Sequence, residues 1–189
     1  MSGGFIVVLA ILAFAAVTIF KGVRIVPQGY KWIVQRLGKY HTTLNPGLNF
    51  VIPYVDEVAY KVTTKDIVLD IPSQEVITRD NAVLLMNAVA YINITTPVNA
   101  VYGIENYTWA IQNLVQTSLR SIVGEMDLDD ALSSRDHIKA KLKAAISDDI
   151  SDWGITLKTV EIQDIQPSST MQAAMEAQAA AERQRRATV

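Results

Sequence analysis

The sequence predicts an α+β fold joined to an N-terminal transmembrane helix, and three stretches of the chain support this prediction. Residues Phe5–Phe20 are apolar except for Thr18, and none of them is charged. Residues 23–94 contain short runs of β-branched and aromatic residues separated by Pro, Gly and Asn, which is the pattern of strands and turns. After Pro97, apolar residues recur every three or four positions, as they do along the buried face of a helix.

The apolar run near the N-terminus is predicted to cross a bilayer once. A helix over Phe5–Phe20 is about 24 Å long, and its flanking residues extend it toward the roughly 30 Å of a hydrocarbon core. Two alternatives stay open: a buried core helix, and a cleavable signal peptide, although no basic residue precedes the run. The side chains predicted to contact lipid are Phe5, Ile6, Val7, Val8, Leu9, Ile11, Leu12, Phe14, Val17, Ile19 and Phe20.

The distribution of basic residues predicts the orientation of this helix. No Lys or Arg precedes it, whereas Lys21, Arg24 and Lys31 follow it, and the first acidic residue is Asp56. Because Lys and Arg accumulate on the cytoplasmic side of membrane proteins, the N-terminus is predicted to lie outside and the folded body in the cytoplasm. The three basic residues are therefore predicted to lie at the anionic membrane surface.

A second membrane contact is predicted at Leu48–Tyr54. This apolar segment follows the turn sequence Asn45-Pro46-Gly47 and is interrupted by Pro53. Its apolar side chains would enter the headgroup region, with the Tyr54 ring at the interface. The alternative is that the segment is a core strand. The side chains predicted to contact the membrane are Leu48, Phe50, Val51, Ile52 and Tyr54.

A long hairpin is predicted in the middle of the chain. A short strand over residues 67–71 ends at Pro72, and residues 74–78 then pair with residues 82–94 across the turn Arg79-Asp80-Asn81. The second arm has apolar residues on both faces of a strand. It is therefore predicted to be a central strand that is buried on both sides.

The C-terminal half is predicted to contain helices over residues 107–123 and 134–153, then a strand over residues 155–165. A last helix over residues 171–187 is rich in Ala and in charges of both signs, with too few large apolar side chains to bury a face alone. We expect this helix to continue beyond Val189 and to pack against copies of itself. The residues predicted to make that contact are Met171, Ala174, Met175, Ala177, Gln178 and Ala181.

No catalytic, cofactor or metal site is predicted. The sequence has no Cys and two His, and it lacks the motifs of nucleophile elbows, phosphate-binding loops and zinc proteases. The acidic run at residues 125–130 lacks the spacing of a calcium loop, and a formal net charge of -2 gives no indication of nucleic-acid binding. A single-pass membrane-bound hydrolase or a protease accessory subunit remains the alternative, but no nucleophile can be named.

Short motifs occur in order from Val23 to the end of the chain. They are Arg36-Leu37-Gly38-Lys39, Pro46-Gly47-Leu48, Phe50-Val51-Ile52-Pro53, Asp70-Ile71-Pro72, Gln74-Glu75-Val76, Thr78-Arg79-Asp80, Thr117-Ser118-Leu119-Arg120, Ser134-Arg135-Asp136, Asp152-Trp153-Gly154-Ile155 and Val160-Glu161-Ile162-Gln163-Asp164. This series resembles the SPFH family, which includes stomatin, prohibitin, flotillin and HflK/HflC. Within the family it is most similar to stomatin-like proteins of bacterial inner membranes.

The resemblance implies both an architecture and a role. It implies an anchor and stem at residues 1–26, two small α+β SPFH subdomains at residues 27–96 and 97–166, and the start of a long Ala/Glu/Arg-rich coiled-coil helix at residues 167–189. Family members assemble into large rings or cages that enclose a membrane microdomain. In bacteria they associate with the AAA+ protease FtsH in membrane protein quality control, and some are partnered with NfeD-type membrane proteins. The implied role is a membrane-anchored homo-oligomeric scaffold, not an enzyme.

Overall fold

The computed structural model describes residues 3–187, and within these it forms six helices and eight strands. The helices are α1 (Gly3–Gly22), α2 (Pro97–Tyr102), α3 (Tyr107–Gly124), α4 (Leu128–Ser133), α5 (Arg135–Asp152) and α6 (Ser169–Ala187). The strands are β1 (Val23–Val26), β2 (Tyr30–Arg36), β3 (Lys39–Leu44), β4 (Gly47–Phe50), β5 (Asp56–Thr63), β6 (Ile67–Ile77), β7 (Val83–Ile94) and β8 (Ile155–Pro167). The predicted α+β class is confirmed.

The chain divides into two compact units whose limits differ from the predicted subdomains. Met1–Lys65 and Ile94–Gly103 form the first unit, while Asp66–Asn93 and Ile104–Val189 form the second. The predicted boundary places all of residues 27–96 in one subdomain. The β6–β7 hairpin instead belongs to the second unit, because β7 lies between β6 and β8 in one sheet. Strand pairing over a long sequence separation therefore decides the boundary.

The first unit is built around β2, which pairs antiparallel with β3 on one side and with β5 on the other. A separate antiparallel ribbon joins β1 to β4. Val26, Val34, Leu44 and Val51 form a buried cluster between these elements. Val51 is only 8% exposed, so the structure places this side chain in the core and not at the membrane contact predicted for it.

The second unit consists of the β6–β7–β8 sheet with α3 packed against β6 and α5 against β8. The predicted central position of β7 is confirmed, but its two faces are not equally buried along the strand. Leu84 and Met86 are fully buried, whereas Leu85 on the other face is 37% exposed. The predicted burial of both faces is therefore wrong at the start of this strand.

Strand β6 does not end at Pro72 as the sequence analysis predicts. It runs through this residue, and its pairing with β7 changes register between Ile71 and Gln74. Proline has no N–H to donate to a ladder, and an irregularity of this kind removes it from regular pairing. A proline therefore interrupts the hydrogen bonds of the hairpin without ending the strand.

Candidate membrane-contact site

Helix α1 exposes its apolar side chains along its whole length. Gly4–Gly22 is long and apolar enough to cross a membrane, and its length is about 28 Å at the rise of an α-helix. Of these residues only Gly22 is buried inside the described part of the chain, and the side chains predicted to contact lipid are 49% to 82% exposed. An apolar surface of this size is unfavourable in water, so the helix requires apolar surroundings.

The β1–β4 ribbon, which begins directly after α1, also has an exposed apolar face. Val23 lies opposite Phe50, and Ile25 lies opposite Leu48. Residues directly opposed in an antiparallel pair project from the same face, so these four apolar side chains share one surface. Ile25, Leu48 and Phe50 are 70%, 62% and 71% exposed. Val26, on the other face, is buried, so the ribbon has one face in the core and one apolar face uncovered.

The loop after β4 is fixed to the end of α1. The Val51 N–H donates a hydrogen bond of 2.8 Å to the Gly22 carbonyl oxygen. A Cβ atom on Gly22 would lie 2.8 Å from the Val51 carbonyl oxygen, so only glycine allows the two backbones to approach this closely. The Lys21 ammonium lies 5.6 Å from the centre of the Tyr54 ring, within the range of a cation–π contact.

The same loop presents two further apolar side chains, Ile52 and Tyr54. They are 53% and 69% exposed, and Tyr54 has a backbone φ of 72°, which is uncommon for a residue other than glycine. The loop is closed by its own backbone, because the Asp56 N–H donates to the Ile52 carbonyl oxygen at 2.9 Å. The exposed side chains are thus carried by a defined loop conformation.

Asp56 connects this loop to β2. Its carboxylate accepts the Ile52 N–H at 2.9 Å and two hydrogen bonds from the Arg36 guanidinium at 2.6 and 3.0 Å. The Asp56 side chain is only 4% exposed. The hydrogen bonds from Arg36, and to a lesser degree the one from Ile52, lower the pKa of Asp56 to about 2. The ionised carboxylate is therefore a structural support beneath the exposed loop.

The structure brings two of the three predicted surface cations together. Lys21 and Arg24 line one open cleft of about 570 Å³, together with Phe20 and Tyr54. Lys31 lies on β2 and is half-buried, and it does not line this cleft. The basic pair thus lies where the apolar surface of α1 ends, as expected for residues at headgroup depth.

Helix α6 carries the predicted assembly residues and is almost entirely exposed. Met171 is half-buried, while Ala174, Ala177, Gln178 and Ala181 are exposed and Met175 is 38% exposed. The helix is joined to the sheet through the residue that precedes it, because the Ser168 N–H donates to the Val83 carbonyl oxygen at 2.9 Å. The exposed surface of the helix therefore consists mainly of small side chains.

The acidic run between α3 and α4 has a structural use. Arg79 forms an ion pair with Asp127, and the Asp80 carboxylate accepts the Leu128 N–H at the start of α4, at 3.2 and 3.3 Å. These contacts tie the β6–β7 turn to the loop before α4. Within residues 3–187, no group of three or more His, Cys, Asp or Glu is arranged to hold a metal ion.

Ile25 and Leu37 are among the exposed apolar residues of the first unit that were not predicted as contacts. Ile25 is two residues from Val23, so the period of a strand could have placed both on one face. Leu37 lies in the tight turn between β2 and β3 and is 86% exposed. No sequence pattern distinguishes it from an ordinary hairpin turn.

Comparison with known proteins agrees with this architecture. The chain is 38% identical over 164 residues to human stomatin-like protein 2, mitochondrial, covering 87% of this chain and 46% of that protein. It is 39% identical over 184 residues to an uncharacterized protein of Methanothermobacter thermautotrophicus, covering 97% and 56%. It is 36% identical over 186 residues to an uncharacterized protein of Mycobacterium tuberculosis, covering 98% and 49%. The chain spans about half the length of these curated relatives.

The family profile described as SPFH domain / Band 7 family matches residues 24–189. The match begins two residues after the apolar helix, and it includes the second compact unit and the part of the first unit that follows residue 23. It agrees with the motifs on which the resemblance was based, which lie between Arg36 and Asp164. The chain therefore belongs to the SPFH domain / Band 7 family.

Proposed function

We propose that this protein is a membrane-anchored homo-oligomeric scaffold that forms a ring or cage around a membrane microdomain. The observation that carries the proposal is the exposed apolar helix α1 followed directly by the uncovered apolar face of the β1–β4 ribbon. Helix α1 crosses the bilayer, and Ile25, Leu48 and Phe50 enter the adjacent interface. This second contact fixes the tilt of the first unit against the membrane. A single flexible anchor would leave the tilt free.

Charge favours a cytoplasmic location for the folded body. Lys21 and Arg24 line a cleft at the end of α1, and basic residues near a membrane helix are retained on the cytoplasmic side. Their attraction to anionic lipid adds about 1 kcal/mol for each charge. In a bacterial cell, the protein would be a single-pass inner-membrane protein with its N-terminus outside.

Assembly would depend on contacts between α6 helices, and the same contact would be repeated between all neighbouring copies of a closed ring. The exposed Ala-rich surface of α6 allows helices of neighbouring copies to approach closely. Each such contact is weak, but a copy in a closed ring is held by two neighbours and by the membrane at once. Anchoring in the bilayer also confines the copies to two dimensions and raises their effective concentration. A weak helix contact can therefore support a large assembly.

A closed wall of this kind would regulate membrane protein quality control by confinement. It would hold lipids, membrane protein substrates and an FtsH-type AAA+ protease within one patch. An NfeD-type membrane protein is a second candidate partner. Both partners are proposed from the family resemblance, and the role requires no catalytic group on this chain.

The test is the mass and shape of the full chain extracted in mild detergent. Mass photometry and negative-stain imaging are expected to show one large species with a closed outline. The same preparation from a bacterial membrane should retain a membrane-bound AAA+ protease after affinity purification. A species of one or two copies would contradict the scaffold and favour an accessory subunit of another complex.

A further inference from the structure

We propose that Leu37, at the tip of the β2–β3 hairpin, is a further membrane-contact residue that the fold holds in an unfavourable backbone conformation. The proposal rests on the membrane anchoring proposed above and adds to it a separate point of contact. It is supported by three observations: the backbone conformation of Leu37, its exposure and its neighbours.

The turn at Leu37 has a conformation that disfavours leucine. Arg36 pairs with Lys39 across the hairpin, so Leu37 and Gly38 are the two central residues, with φ values of 51° and 82°. Positive φ at both positions defines a type I′ turn, for which Asn-Gly is the preferred sequence. Gly38 adopts this conformation without steric strain, whereas the left-handed conformation is unfavourable for Leu37.

Burial of the side chain does not compensate for this conformation. Leu37 is 86% exposed, more than any other large apolar side chain in the described part of the chain. Neither the backbone conformation nor burial of the side chain therefore favours leucine at this position of the turn. Unfavourable conformations of this kind occur where a residue serves contact with a ligand or partner.

The neighbours of Leu37 indicate that this contact is with the bilayer interface. The Leu37 N–H donates to the Val55 carbonyl oxygen at 3.4 Å, and Leu37 lines one cleft with Tyr54 and Val55. Tyr54 in turn contacts Lys21 at the end of α1. The cleft is also lined by Gln35, Asp56 and Glu57. The tip is therefore connected through Tyr54 to the end of the membrane helix, and leucine is a favourable residue for insertion at headgroup depth.

A depth measurement on the full chain tests this contact. The sequence contains no Cys, so Leu37→Cys introduces a single site for an environment-sensitive fluorophore. Nanodiscs of phosphatidylglycerol and phosphatidylcholine would carry nitroxide-labelled lipids as quenchers. We expect at least twofold quenching and a blue-shifted emission at position 37, and neither effect for Lys141→Cys on the exposed surface of α5. Emission at position 37 equal to that of the Lys141→Cys control would overturn the proposal.

A third labelled variant separates the failure of this inference from the failure of membrane anchoring. Phe14→Cys in α1 reports whether the helix itself is in the bilayer. Quenching at position 14 without quenching at position 37 would refute the Leu37 contact alone, while quenching at neither position would refute the anchor.

Pyrene attached at position 37 tests whether Leu37 contacts a second copy of the chain instead of the bilayer. Excimer emission in detergent would show that Leu37 contacts a second copy, and it would overturn the bilayer assignment.

The unfavourable backbone conformation of Leu37 can be tested by measuring stability. Leu37→Asn supplies the preferred turn sequence, so it should raise the thermal midpoint of the full chain in detergent by a few degrees. Gly38→Ala is the matched control and should lower the midpoint, because it places a side chain at a position with φ of 82°. An unchanged or lower midpoint for Leu37→Asn would show that leucine is not unfavourable in this turn, and it would overturn the proposed strained conformation of Leu37.

Discussion

The Arg36 guanidinium and the Asp56 carboxylate form a two-pronged ion pair, with N···O distances of 2.6 and 3.0 Å, and this pair supports the exposed loop of the first unit. Asp56 uses the same carboxylate to accept the Ile52 N–H. The pair therefore links β2 to the loop that carries Ile52 and Tyr54. A bidentate pair restricts orientation as well as distance, so it holds this loop in one conformation.

Removal of the Asp56 carboxylate should destabilise the first unit. Asp56→Ala leaves the Arg36 guanidinium without its partner and the Ile52 N–H without its acceptor, and we expect a loss of about 2–3 kcal/mol in the free energy of unfolding. Thermal and urea unfolding of the full chain in detergent would measure it. Asp70→Ala, which removes an exposed carboxylate from β6, is the control. Equal losses for the two variants would contradict a structural role for the ion pair.

The same carboxylate predicts a dependence of stability on pH. The pKa of Asp56 falls from 3.8 to about 2 in the folded protein, mainly through its hydrogen bonds from Arg36. The folded state therefore binds fewer protons than the unfolded state in this interval. The contribution of Asp56 is complete above about pH 4 and is lost as the pH falls toward about 2.

Asp56→Asn isolates this contribution. The pKa values of Asp66, Asp80 and Glu161 are also lowered, so the wild type and the variant should both lose stability in acid. We expect a smaller loss in the variant between about pH 5 and pH 2, measured by urea unfolding at intervals of pH. Parallel curves would show that the stability does not depend on the ionisation of Asp56.

Substitutions at Phe50 and at Val51 should distinguish a membrane-facing side chain from a core side chain. Phe50 is 71% exposed, whereas its neighbour Val51 is 8% exposed. Phe50→Ser is expected to change the free energy of unfolding by less than about 0.5 kcal/mol, and Val51→Ser should cost more than about 2 kcal/mol. A fluorophore at position 50 should be quenched by nitroxide lipids in nanodiscs. A large destabilisation by Phe50→Ser would place this side chain in the core and contradict the membrane contact.

Elements in which apolar residues recur regularly over many positions were predicted better than short elements with few buried residues. Helices α3 and α5 and the β6–β7 hairpin were found because their buried residues recur over several turns or pairs. Strands β1, β3 and β5 were not identified as separate elements. β3 has one buried residue, Leu44, so its place in the sheet depends on pairing with β2, which no local pattern reveals.

The sequence predicted which segment belongs to the candidate site, but not which of its side chains are exposed. The segment at Leu48–Tyr54 was identified as a membrane contact from its apolar residues, without regard to which side chains point outward. In the structure, Leu48, Phe50 and Ile52 are exposed and Val51 is buried, which is the alternation expected of extended backbone. The left-handed conformation and the exposure of Leu37 could not have been predicted, because they depend on a backbone angle and on pairing across the hairpin.

The orientation of α1 should depend on the basic residues that follow it. A reporter that is active only in the cytoplasm, fused after Val189, should be active in the wild type. Replacement of Lys21, Arg24 and Lys31 with Gln should reduce this activity and increase that of a reporter that is active only outside. Replacement of Lys139, Lys141 and Lys143 on α5 is the control with an equal change in charge. A wild-type reporter active only outside would contradict the cytoplasmic location of the body.

Assembly should require an unbroken α6. Ala177 lies in the middle of this exposed helix, and Ala177→Pro removes a helical hydrogen bond and costs about 3 kcal/mol in each copy. A symmetric assembly contains this defect in every subunit, so we expect the large species to disappear in sedimentation velocity while circular dichroism shows a folded body. Ser169→Pro is the matched control, because the first turn of a helix tolerates proline. A large species that persists after Ala177→Pro would show that the two compact units assemble without α6.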